Sequence, residues 1–211
     1  MIVEPYLDQA IAIENQNLFL TGEEEDTEQF WVEYYDYRVW QKGGQIVAGM
    51  ILGTSFGALF GMVYAFTRNS LPSKKHIGNT LILAGIMWFT LFVIPFLKYP
   101  ANPPTVGDTE TVVLRGILYI SFVTISGLGA LGFYKMSKLL KIRKNLISIT
   151  SYAVFISIVF FLMPENPDII TAPLDLVNQF RMAGFFTSSV FWFSLALILG
   201  AFWQKTKPEI H

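Results

Sequence analysis

Gly43–Phe66 reads GGQIVAGMILGTSFGALFGMVYAF, a run without a single Asp, Glu, Lys or Arg. About 20 such residues make a helix long enough to cross a hydrocarbon core of about 30 Å. A helix of a soluble domain keeps a polar face, and this run has none. Four more uncharged stretches follow, at about Ile77–Leu97, Gly116–Tyr134, Leu146–Met163 and Ala183–Trp203. Backbone groups in lipid must be satisfied within their own segment, so each stretch is read as a helix. The expected fold is all-α, a polytopic bundle of five transmembrane helices. It divides into an acidic, aromatic-rich segment at 1–42, a membrane domain at 43–203 and a tail at 204–211.

Composition agrees. Apolar residues make up 53% of the 211 and charged residues 15%, against about 25% charged in a soluble domain. The net charge of -1 supplies no basic excess for a phosphate backbone, so nucleic acid is excluded as a partner. The absence of cysteine excludes disulfides, thiolate metal sites and Cys nucleophiles. No Ser-His-Asp set, glycine-rich phosphate loop or HExxH motif occurs, and the two histidines, His76 and His211, stand apart. The chain is expected not to be an enzyme and to carry no cofactor.

Basic and acidic connections alternate. Segments 67–76 (Arg68, Lys74, Lys75) and 135–145 (Lys135, Lys138, Lys141, Arg143, Lys144) hold no acid, and the tail carries Lys205 and Lys207. Segments 1–42, 98–115 and 164–182 hold the acids. The positive-inside rule puts the basic segments in the cytoplasm and the acidic ones outside. An outside segment 1–42, with ten carboxylates and no span before it, is an awkward passenger, and a helix ahead of Met1 is the expected remedy. The five uncharged stretches contain no ionisable residue, which argues against a proton-coupled pump.

Within the first stretch Gly49, Gly53, Gly57 and Gly61 recur every four residues, on one helix face. They form a smooth seam that another helix can approach closely. Just before it, Phe30–Gln41 (FWVEYYDYRVWQ) has the aromatic density of a membrane interface. Arg38 and Gln41 share a face there and can orient a polar group at the outer mouth. Glu4 and Asp8 are spaced i, i+4 behind Pro5. Two carboxylates on one face repel unless a cation lies between them, which makes them candidate ligands for a divalent ion. The connection 98–115 packs Pro100, Pro103 and Pro104 into five residues, so it is stiff. Its Lys98, Tyr99 and Asn102, with Arg115 beyond, are loop or gate candidates. Arg181 closes the similarly proline-marked connection 164–182.

These residues carry a resemblance. Glu4-Pro5-x-x-Asp8-x-Ala10-Ile11-Ala12-x-Glu14, Arg38-x-x-Gln41-x-Gly43 and Pro95-x-Leu97-Lys98-Tyr99-Pro100-Ala101-Asn102-Pro103-Pro104-x-Val106-Gly107-Asp108 with Arg115 resemble the CbtA family of cobalt transporter subunits. Phe180-Arg181 and Trp192 fit the same pattern. The resemblance implies cobalt uptake beside a small membrane subunit of CbtB type. It also implies a first helix just ahead of the Glu-Pro motif, which this sequence lacks, and six spans in a full-length form.

The expected function is therefore an integral membrane subunit of a divalent metal uptake system, with cobalt as cargo. Glu4, Asp8 and Asp108 would be transient ligands. Arg38, Arg115 and Arg181 would lock the outer loops by ion pairs. The alternative is a non-transporting scaffold or assembly protein that packs partner helices through the glycine seam.

Overall fold

The computed structural model describes residues 2–104, 106–140 and 144–206; Lys141, Arg143, Lys207 and His211 lie outside them. The protein is 82% helical without strands among the described residues, and five helices are long and apolar enough to span a membrane. The elements are α1 (Glu4–Thr21), α2 (Glu28–Thr67), α3 (His76–Met87), a π-helical segment (Trp88–Val93), α4 (Ile94–Lys98), α5 (Val112–Ser137), α6 (Lys144–Leu162) and α7 (Leu174–Thr206). They sort into two compact units. Unit 1 is built mainly on Gly85–Ser189, and unit 2 joins Asp8–Ala84 to the chain from Val190 onward.

In unit 2, α1 stops where Gly22 takes φ 74°. Glu23 N–H donates to Leu18 O (3.1 Å) and Gly22 N–H to Phe19 O (3.3 Å), which satisfies the last carbonyls in a Schellman turn. The Thr27 side chain then caps α2 by accepting from Phe30 N–H at 3.2 Å. Phe19 of α1 meets Phe30 and Trp31 of α2 edge-on, at 4.9 and 6.0 Å between ring centroids. The aromatic run thus does two jobs, closing this hairpin and lining the start of a span.

Helix α2 is one unbroken rod of 40 residues, about 60 Å at about 1.5 Å per residue. The sequence places the first span at Gly43, but the rod begins fifteen residues earlier, at Glu28. FWVEYYDYRVWQ holds no proline or glycine to break it, so the helix passes straight through the 42–43 boundary. Its second half packs on α7. Phe56 lies 6.0 Å from Phe191 and 5.6 Å from Trp192, ring to ring. A Cβ on Gly57 or Gly61 would touch Leu195 or Leu199 at 4.0 and 3.9 Å, whereas Gly49 and Gly53 have nothing within 4 Å. The glycine seam is therefore filled over its second half and open over its first.

A closer approach involves a glycine the sequence did not single out. A Cβ on Gly200 of α7 would meet the Ile77 Cα of α3 at 2.8 Å. At that end of the unit the Tyr64 hydroxyl lies 2.8 Å from His76 Nδ1 and its ring stands 5.0 Å from Trp203. His76, solitary in sequence, is engaged in space.

In unit 1 the decisive residue is Pro95. It has no N–H, and its ring crowds the preceding turn of a helix. The chain answers by widening into the π-helical turn Trp88–Val93, where Ile94 N–H donates to Phe89 O. Thr90 O then loses both possible helical donors, because Ile94 N–H is spent on Phe89 and Pro95 has none to give. The Ser126 hydroxyl of α5 supplies the missing hydrogen at 2.6 Å. With its proton committed, Ser126 Oγ accepts from the Tyr152 hydroxyl of α6 at 2.8 Å. Trp88 Nε1 likewise donates to Ser189 Oγ at 3.0 Å. Gly127 lies against Leu91 and Gly129 against Phe155, which lets these helices close in on one another.

Candidate functional site

Helix α4 ends at Tyr99 because Pro100 follows, and the residue before a proline is driven out of helical geometry. Tyr99 is buried, and its hydroxyl donates to Pro164 O at 2.5 Å. Burial raises its phenol above the ordinary tyrosine range, so it stays a donor across physiological pH. Lys98 Nζ sits 5.1 Å over the Phe160 ring. Asn102 Oδ1 accepts from Arg181 Nε (3.2 Å) and Nη2 (2.7 Å). Pro103 and Val106 close a turn through Val106 N–H to Pro103 O (2.9 Å). Val106 then packs in a small core with Ala172 and Val177.

Gly107 follows with φ 115°, a left-handed conformation that side chains rarely adopt. Here space forbids a side chain as well, since a Cβ would collide with the Asp168 carboxylate and lie 2.7 Å from Arg115 Nη1. Asp108 comes next. Its Oδ1 accepts from Glu110 N–H (3.0 Å) and heads the short turn that leads into α5. Its carbonyl accepts from Arg115 Nη2 at 3.1 Å.

The centre of this arrangement is Asp168, from the connection 163–173. Its side chain is 0% exposed, and Oδ2 pairs with Arg115 Nε at 2.8 Å. Oδ1 accepts from the Thr111 hydroxyl at 2.6 Å, which also reaches Asp108 O at 2.8 Å with the same hydrogen. Asp108 N–H points at Oδ1 from 3.4 Å. Three ties, at Tyr99, Asn102 and Asp168, thus hold the proline-rich loop against 163–173 and the start of α7.

Asp8, Arg38 and Gln41 lie in unit 2, and Glu4 falls in the Met1–Leu7 piece of unit 1. Arg38 is buried on α2, and its Nη2 donates to Asp8 Oδ1 at 2.6 Å while Nη1 donates to Gln41 Oε1 at 3.0 Å. The cation that meets Asp8 here is a guanidinium. Glu4 opens α1 as its first residue.

Of the arginines expected to lock loops, Arg115 forms an ion pair between loops, Arg181 holds an amide, and Arg38 closes a helical hairpin. Among the described residues no three His, Cys, Asp or Glu side chains gather as a group that could hold a metal ion. Sequence reasoning missed Asp168 and Thr111. The one local signal was Asn166-Pro167-Asp168, a turn signature that fixes Asp168 through its N–H to Asn166 Oδ1 (3.1 Å).

Long apolar helices in two packed units, joined by loops stapled through buried polar ties, define a multi-pass membrane protein. The family model described as "Probable cobalt transporter subunit (CbtA)" matches residues 1–204, and the chain belongs to the CbtA family. The word subunit carries an expectation of assembly with a partner in a transport complex. No curated protein and no solved structure matches the chain.

Proposed function

We propose that the chain is the membrane-embedded, non-enzymatic subunit of a divalent cation uptake system, with cobalt as cargo. The observation that carries this reading is the family match over nearly the whole length. By the positive-inside rule the basic connections 67–76 and 135–145 face the cytoplasm, and the proline-rich loop with Asp108 faces outward. Hard oxygen donors are what that outer side offers a divalent ion, through Glu4, Asp8 and Asp108. No three of the acidic or histidine side chains among the described residues form a cage, so each carboxylate would meet the hydrated ion in passing. Nothing in the sequence reads as a nucleotide site, so an energy-coupling step would fall to a partner, together with a small membrane subunit of CbtB type.

The test is uptake of radiolabelled cobalt into cells expressing the chain with its partner subunit. Expression should raise uptake, nickel should compete, and Asp108→Asn should lower apparent affinity by about tenfold, the low end of what a lost oxygen partner costs a metal site. Uptake no higher than in cells without the chain would overturn the proposal.

One observation favours a second reading. Gly49 and Gly53 face open space on α2, which suits a partner helix packed by a non-transporting scaffold. That reading expects Gly49→Leu to abolish assembly and expression of the chain to leave cobalt uptake unchanged.

A further inference from the structure

We propose that Asp168 is the positioning residue of the outer loop pair. Through Arg115 and Thr111 it holds the Asp108 turn in place, and the Arg115–Asp168 pair acts as a latch that keeps the loop pair of unit 1 closed. The inference deepens the uptake reading and rests on it for the role of Asp108, while the latch itself stands on geometry alone.

Beside the local Glu110 N–H to Asp108 Oδ1 contact of the turn, two side chains that Asp168 holds, Arg115 and Thr111, both donate to the Asp108 carbonyl. Arg115 reaches Asp168 Oδ2 with Nε and Asp108 O with Nη2, so one guanidinium clamps both loops. Thr111 does the same with its hydroxyl. Gly107 brings its backbone against this clamp, where no side chain fits.

Charge makes the clamp directional. The Asp168 side chain is 0% exposed, so its carboxylate meets a cation within the protein and not water. A buried charge deprived of its partner is strongly destabilised, so the loops are held shut as long as Arg115 stays. Arg115 itself is 27% exposed and reaches the surface. The weak side of the latch is therefore the arginine, which can swing outward, and Asp168 is the fixed post. Of the other ties, Tyr99 to Pro164 O is neutral and Asn102 accepts from the Arg181 guanidinium, so neither joins two opposite charges as Arg115 and Asp168 do. Release of the latch would free the turn that carries Asp108.

The absence of native cysteine makes the test direct. Val106 of the proline-rich loop is 1% exposed where it packs against Ala172 and Val177, so Val106→Cys in the full chain reports the opening of the loop pair. In lipid nanodiscs, where both faces are accessible, a water-soluble maleimide should label Val106→Cys slowly. Asp168→Asn should speed labelling by about tenfold, as the closed state loses its charged tie. Arg115→Lys, which keeps the charge without the two-atom clamp, should give a smaller rise and serves where Asp168→Asn does not fold. In the uptake assay Asp168→Asn should raise the apparent KM for cobalt while leaving the maximal rate within about twofold, because the turn is displaced and not removed.

Labelling of Val106→Cys unchanged in both variants would overturn the latch. Labelling that rises while KM stays fixed and the maximal rate collapses would overturn the positioning role. If the wild-type chain supports no uptake, the transport reading falls and the labelling result still decides the latch.

Discussion

Among the described residues each unit holds an aspartate–arginine pair, and the two pairs are built in opposite ways. In unit 2 the arginine is buried and the acid is wet, with side-chain exposures of 8% for Arg38 and 51% for Asp8. In unit 1 the acid is buried and the arginine reaches water, with 0% for Asp168 and 27% for Arg115. Arg38 keeps a second acceptor in Gln41, one turn away on its own helix, so losing Asp8 leaves it partly satisfied. Asp168 likewise keeps neutral donors in the Thr111 hydroxyl and the Asp108 N–H, but its carboxylate is sealed from water, which that of Asp8 is not. The same two residue types therefore make a solvated brace on a hairpin and a sealed tie between distant loops. Burial of the acid, not the 2.6 or 2.8 Å distance, separates them.

The comparison breaks most easily at Asp168. Asp168→Asn should cost about 3 kcal/mol, the low end for removing one partner of a buried pair because Arg115 can turn to water. Thermal unfolding in detergent should show it as a clear drop in Tm, and an unchanged Tm would mean that the tie carries no weight. Ser126→Ala sharpens the comparison by removing a neutral tie from the same unit. It should cost about 1 kcal/mol, in the range of hydrogen bonds between membrane helices, because Thr90 O loses its donor. Asp8→Asn should have the smallest effect, about 0.5 kcal/mol or less, since half-solvated pairs contribute little. The Asp8 effect should also shrink in high salt while the Asp168 effect persists, because screening reaches only the exposed pair. Equal salt sensitivity in the two variants would mean that the two pairs do not differ in their access to water.

The helical spans were legible because lipid-compatible length and lack of charge are properties of consecutive residues. Their ends were less so. Nothing between Glu28 and Gly43 stops a helix, and an aromatic interface segment looks alike whether it is coiled or helical, so α2 came out longer than its uncharged core. The glycine seam was visible as a period of four, but sequence could not tell which half had an occupant. Leu195 and Leu199 fill the half at Gly57 and Gly61, while the contact at Gly200 belongs to a lone glycine with no period to betray it.

The loop site was half legible. Three prolines announced stiffness, and Arg115 and Arg181 announced a need for partners. Asn102 and Asp168 as those partners lie 79 residues from Arg181 and 53 from Arg115 along the chain, and no local pattern encodes such a pairing. Pro95 shows the same division within one helix. Its missing N–H is written in the sequence, and a disturbed turn before it follows from that alone. That the disturbance is a π-helical turn, with Thr90 O handed to Ser126 and Tyr152, depends on which helices stand beside it.

By itself the sequence determined that the chain crosses a membrane repeatedly as helices, and where basic and acidic connections alternate, because both follow from the solvent each residue must face. Tertiary structure alone decided which acid is buried, which arginine it holds and which carbonyl borrows a hydroxyl. Those choices depend on groups brought together from far apart in the chain, and burial exists only once they have met.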